Sequence, residues 1–197
     1  SHAEGESTIA SGSWSHASGK DTIAYGDYSY TQGELTIASG SHTHAEGYQT
    51  IASESYSHAE GYQTIAKKES SHAEGQNTLA AGKYSHAQGY FTSASSIAAH
   101  AEGMNTRAGH LEAGIGNNGD FAINGAAAHA EGSGSRASGS FSHAEGLSTL
   151  AFGYTSHAEG KETIASGSYS HAEGRQTLAS GGDSHAQGVS TIAAGAA

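Results

Sequence analysis

Between Ser57 and Tyr84 small and large positions alternate in a pattern that repeats every fourteen residues, S-H-A-E-G-x-x-T-I-A-S-G-x-x. Each fourteen divides into two sevens of one form: a hydroxyl residue, a side chain, Ala, a second side chain, Gly and two free positions. Helix is a poor reading of a chain with Gly at two fixed places per repeat and a hydroxyl residue opening each half. Each seven instead predicts a strand of about five residues closed by a two-residue turn, with Gly leading the backbone into the turn at positive φ. In strand alternation Ser57, Ala59 and Gly61 share one side, and His58 and Glu60 the other. In the second half Thr64 and Ala66 stand opposite Ile65 and Lys67. Ser, Thr, Ala and Gly suit the interior between two closely packed sheets, where nothing larger fits. The unit is then a flattened coil, and successive coils pair as parallel strands about 4.8 Å apart.

The fourteen-residue phase runs through the chain. His2, His16, His44, His58, His72, His86 and His100 keep it, with Tyr30 in one slot. It shifts by one residue before His129 and resumes at His143, His157, His171 and His185. Chance does not give such spacing, and fixed periodicity of this kind marks a solenoid. The whole chain, residues 1–197, reads as a single domain of about fourteen coils, interrupted by an irregular segment near 104–128. Within it, Phe121 to Gly125 fits the half-repeat leading into His129. His110, Leu111, Glu112, Asn117, Asn118 and Asp120 do not fit, and they form a candidate recognition loop on a rigid scaffold. A bulge or protruding loop with no special role is the first reading of the segment, and the recognition loop is the functional alternative.

Two outer faces follow from the alternation. One carries Ile9, Ile23, Ile37, Ile51, Ile65, Leu79, Leu150, Ile164, Leu178 and Ile192. A line of Ile and Leu on an outside surface marks an interface, and oligomerisation is the expected remedy for so thin a core. Arg107 and Arg136 stand in the same column and sit awkwardly in that role. The other face carries the His and Glu columns: His44, Glu46, His58, Glu60, His72, Glu74, His143, Glu145, His157, Glu159, His171 and Glu173. These are expected to be structural, with His–Glu contacts across coils or between chains. Trp14, Tyr28, Tyr56, Tyr84, Phe141 and Tyr169 fall at turns and predict an aromatic ladder along one edge.

Composition narrows the function. With 29 Gly, no Pro and no Cys, and 35% apolar residues, an ordinary globular core would bury too little area to offset chain entropy. Strict periodicity argues against the disorder that such a composition otherwise implies. The charge of −11 with only 8 Lys plus Arg removes nucleic acid as a partner and disfavours anionic membrane surfaces. Thiolate metal sites are excluded, and no apolar run spans a bilayer. The chain opens in mid-repeat and reads as an internal piece of something larger.

Catalysis needs one unusual constellation in a cleft, and a column repeated thirteen times offers none, so no enzyme is expected. No HExxH helix, triad or calcium-type G-G-x-G-x-D repeat is present. No cofactor and no metal are expected, although a His face turned to a threefold axis would offer three imidazoles per layer, a set suited to Zn or Ni. If the imidazoles pack beside Glu carboxylates, their pKa should rise, which predicts an assembly tolerant of acid down to about pH 5. If they are buried neutral, acid should destabilise it.

The sevens S-x-A-x-G and T-I-A-S-G resemble the head repeats of the YadA-like trimeric autotransporter adhesins, in which S-V-A-I-G alternates with S-x-A-x-G. The resemblance covers nearly the whole chain outside 104–128. It implies a left-handed parallel β-roll, three chains about a threefold axis, and a place on the bacterial cell surface. In that family two apolar residues of S-V-A-I-G face the axis. The matching positions are Ile65 and Lys67 in one coil and Ile164 and Ser166 in another, and only the first of each pair keeps its apolar character. S-V-A-I-G itself, linked with collagen binding in some members, never occurs in this chain, so collagen binding is not inherited. Similar repeats look at home in phage fibres. The resemblance thus implies an all-β homotrimeric head for attachment to a host or surface through an extracellular-matrix or cell-surface ligand, with no direct membrane contact. The alternative is a purely structural fibre-shaft segment of a virion.

Overall fold

The computed structural model describes residues 1–109 and 125–195. All regular structure among them is β-strand, and no helix is long and apolar enough to cross a membrane. The chain forms two units, Ser1–Phe91 and Thr92–Ala197, built on one kind of coil.

In the first unit seven five-residue strands run from His2–Glu6 to His86–Tyr90, and six two-residue strands from Ile9–Ala10 to Leu79–Ala80. Each strand pairs in parallel with its counterpart in the next coil. His58, Ala59, Glu60 and Gly61 stand beside His72, Ala73, Glu74 and Gly75, and Ile65 and Ala66 beside Leu79 and Ala80. Long strands make one sheet and short strands the other. The second unit has six long strands, His100–Met104 to His185–Val189, and seven short ones, Ser93–Ala94 to Ile192–Ala193. This is a parallel β-solenoid of thirteen coils among the described residues.

The core is made of what the alternation places inside. Ala17, Ala45, Ala59 and Ala73 from the long strands are fully buried, as are Ala24, Ala52, Ala66 and Ala80 from the short ones. The largest fully buried side chains are threonines, Thr22, Thr36, Thr50 and Thr64 among them. Two sheets lined with Ala, Ser and Thr approach closely, so burial per coil is small and stability accumulates by stacking coils.

Two expectations about the backbone are corrected. The second strand of each coil holds two residues, not about five. Glycine at positive φ is also regular in only one half, the short-strand slot showing it at Gly125 and Gly195 alone among the described residues: Gly61 has φ +117, and a Cβ there would lie 2.1 Å from the Gly75 carbonyl oxygen. The second-half glycine Gly26 does not have positive φ, yet a Cβ on it would meet the Gly40 carbonyl at 1.8 Å. The left-handed turn residue is the last of each seven, such as Tyr56 (φ 61) and Gln63 (φ 54). That conformation costs a non-glycine residue on the order of 1 kcal/mol. It aims the amide back along the stack, where Tyr56 N donates to Ser41 O at 3.0 Å and Gln63 N to Tyr48 O at 2.8 Å.

In the second unit His100 pairs directly with His129, in register with Ala101↔Ala130 and Glu102↔Glu131. The two are therefore neighbours in the ladder, although 29 residues apart in sequence. Met104 closes one regular strand, Thr106 is fully buried and Arg107–Ala108 forms another strand, so the repeat continues to Gly109. The candidate loop residues His110, Leu111, Glu112, Asn117, Asn118 and Asp120, with Phe121 to Asn124, lie outside the described residues.

Candidate functional site

The long-strand sheet turns His and Glu outward. His44, His58, His72, His143, His157 and His171 are half-buried, because each ring lies over the ring of the next coil. The His44–His58 centroids are 4.6 Å apart with planes 8° from parallel, and His143–His157 are 4.7 Å apart at 4°. Tyr30 keeps the column, stacking on His16 at 5.1 Å, while its hydroxyl donates to Gln32 Oε1 at 2.6 Å.

Four of these six carboxylates sit beside the imidazole of their own strand. His44 Nε2 lies 3.3 Å from Glu46 Oε2, His58 Nε2 3.6 Å from Glu60 Oε2, His157 Nε2 3.7 Å from Glu159 Oε2 and His171 Nε2 3.8 Å from Glu173 Oε2. Glu74 accepts a hydrogen bond from Gln88 Nε2 at 3.4 Å. Glu145 lies one strand position from Glu131 and Glu159, in line with both.

Proximity to Glu does not raise the pKa of His58, His129, His143 or His157. Burial holds His58 below its ordinary value, helped by His44 and His72 on either side, and Glu60 and Glu46 oppose this without prevailing. His129, His143 and His157 are lowered likewise, by burial first and then by neighbouring imidazoles. The expectation of raised values is overturned at these four histidines. A partly desolvated ring stacked between two others resists becoming a cation more strongly than a solvated carboxylate favours it.

The short-strand sheet carries the apolar line. Ile23, Ile37, Ile51, Ile65 and Leu79 of the first unit, and Leu150, Ile164 and Leu178 of the second, are half-buried. Ile9 and Ile192 are more open, at 47% and 70% exposed. Arg107 and Arg136 sit side by side in the same column and are exposed.

The turn aromatics form an edge, broken by other residues. Tyr28, His42 and Tyr56 stack at 4.8 and 5.1 Å, with His42 filling a slot that an aromatic-only reading passes over. Trp14 is 76% exposed. Other cross-coil ladders were not anticipated: Tyr48 stacks on Tyr62 at 5.0 Å, Gln63 Nε2 donates to Gln49 Oε1 at 2.7 Å, and Lys68 and Lys83 pair with Glu54 and Glu69 at 2.8 and 2.9 Å. The signal was available, since each pair is separated by the repeat length.

This geometry offers extended, repetitive faces. No curated protein matches the chain. Residues 3–29 of the first unit and 144–170 of the second each match the YadA head domain repeat, so the chain carries repeats of the YadA head type.

Proposed function

We propose that this chain is a structural and adhesive surface module, a left-handed β-roll head that assembles as a homotrimer and presents repetitive binding surfaces outside a bacterial cell. The observation that carries the reading is the Ile/Leu line on the short-strand sheet. Ile51, Ile65 and Leu79, and again Leu150, Ile164 and Leu178, follow one another along the stack on an outer face. Covering such a line contributes about 25 cal/mol per Å² of apolar area, which a core built from Ala, Ser and Thr needs. The YadA head repeats at residues 3–29 and 144–170 support the same assembly. Attachment is then multivalent, with weak contacts to a matrix or cell-surface ligand multiplied over three chains.

The contact is tested with Ile51→Asp combined with Ile65→Asp. Both side chains point away from the core, so the coil still forms. The double variant is expected to run as a single chain in analytical ultracentrifugation while keeping its β-sheet circular dichroism. A double variant with unchanged mass would remove the Ile/Leu line from the interface. Attachment is tested separately, by retention of protein-coated beads on matrix-coated or cell-covered surfaces, and beads that wash off like uncoated ones would leave a structural role alone.

A further inference from the structure

The second unit holds a set of metal-ligating atoms that the packing of the coil does not require. His129, His143, His157, His171 and His185 form one unbroken column. Ring centroids are 4.6 to 4.8 Å apart and planes within 10° of parallel. The Nε2 atoms of His129, His143, His157 and His171 are buried and have no hydrogen-bond partner. Beside three of them stand the carboxylates of Glu131, Glu159 and Glu173, at 3.5, 3.7 and 3.8 Å. Four triads result, His129–Glu131–His143, His143–Glu145–His157, His157–Glu159–His171 and His171–Glu173–His185, each with its ligand atoms within 4.8 Å of one another.

We propose that this column binds divalent transition-metal ions of the Zn(II) or Ni(II) class, each held by the imidazoles of two successive coils and one Glu carboxylate, with water completing the shell. Two neutral nitrogens and one carboxylate oxygen make a donor set for these metals and not for Mg(II) or Ca(II), which take oxygen. With bonds of about 2.1 Å, ligand atoms on one tetrahedral ion lie about 3.4 Å apart. The imidazole–carboxylate pairs already stand close to that separation. The second imidazole closes the remainder by tilting out of the stack, as His72 and His86 do in the first unit, where the planes meet at 48°. The chain's net charge of −11 favours cation uptake, and the carboxylates, partly exposed, provide the entry.

The sharing of ligands sets the stoichiometry. Adjacent triads have His143, His157 or His171 in common, and one imidazole nitrogen holds one ion. The column therefore saturates at two ions per chain, not four. All four triads among the described residues fall in the second unit.

The test is equilibrium dialysis of the untagged chain against ZnCl2 and NiCl2, with MgCl2 and CaCl2 as controls. The control protein is the double variant His143→Tyr and His171→Tyr. Together these substitutions remove a ligand from every triad, and in the equivalent column of the first unit Tyr30 fits face to face with His16 and edge-on to His44. The expected result is two zinc ions per native chain, none held by the double variant, and no retention of magnesium or calcium. Native protein that takes up no zinc, or a folded double variant that takes up as much as the native chain, would overturn the assignment. Should the double variant not fold, the chain with Glu131, Glu145, Glu159 and Glu173 all replaced by Gln keeps a side chain the column already accepts at Gln187. Its zinc affinity should fall by at least about tenfold, and unchanged affinity would equally overturn the assignment.

Discussion

Ser57 and Thr64 occupy equivalent places in the two halves of one coil, and both are buried. Ser57 donates its hydroxyl to the Glu54 carbonyl at 2.6 Å, closing the turn before its strand. The Thr64 hydroxyl has no partner. Ser15, Ser29 and Ser142 repeat the first arrangement with Gly12, Gly26 and Gly139, and Thr22, Thr36 and Thr50 the second. The halves differ in their glycines as well. The long-strand glycine is kept in every described coil, from Gly5 to Gly188, whereas the short-strand slot admits Glu54, Lys68 and Ser96. One half is thus held by backbone geometry and a hydroxyl-to-carbonyl bond. The other is held by the fit of small side chains, with its outward Ile left for an external contact.

That contrast breaks most visibly at the glycines. Gly61→Ala puts a Cβ 2.1 Å from the Gly75 carbonyl at a φ of +117, and should cost about 4 kcal/mol or more, at the severe end of single substitutions. Gly40→Ala brings a Cβ within 2.4 Å of the Glu54 backbone but at an ordinary φ, in a slot that carries Glu54 and Lys68 in the next two coils, and should cost less. Thermal melts of the two variants make the comparison, and equal losses would refute a difference between the halves.

Acid should act through the His column with a smaller and graded effect. The folded-state pKa of His58 lies below its ordinary value of 6.5, so the unfolded chain takes up protons first as pH falls. The stability contributed by the neutral ring is fully present above that value and is lost as pH drops through the lowered one. Melting temperature, measured with chelator present, should be lower at about pH 5.5 than at about pH 7.5. A His58→Tyr chain should lose less over the same interval, and a flat profile for the parent would contradict the burial argument.

The smallest effects separate the two hydroxyls. Ser57→Ala deletes a buried hydrogen bond and leaves the Glu54 carbonyl with only the longer bond from Ser57 N at 3.2 Å, a loss of about 1 kcal/mol. Thr64→Val keeps the shape and removes a hydroxyl that has no partner, so it should be neutral or slightly stabilising. Paired denaturation curves decide it, and a Thr64→Val loss as large as that of Ser57→Ala would mean the threonine hydroxyl is satisfied after all.

Much of this was readable before any coordinates. Ser57, Ala59, Thr64 and Ala66 declare the interior by size and alternation, and the fourteen-residue spacing of His58 and His72 declares the register. Tyr30 in a His slot announces that the column tolerates a flat ring. Other features depend on distances that a pattern does not carry. Strand length goes with whether the Gly itself takes positive φ, as Gly61 does and Gly26 does not, and the two look alike in sequence. The sign of the His58 shift depends on how far stacking removes the ring from water, against a carboxylate whose separation is unknown until the strand is built. The pairing of His100 with His129 was hidden because a separation of 29 residues reads as two repeats and one extra residue, and only the built ladder makes the two strands neighbours.

The solution mass of the 197-residue chain tests the central claim most directly. Multi-angle light scattering should give three times the 19.8 kDa chain mass, as expected when the Ile/Leu line is covered by two further copies. A mass of one chain at working concentration would contradict the trimer and leave the line from Ile23 to Leu79 open to solvent.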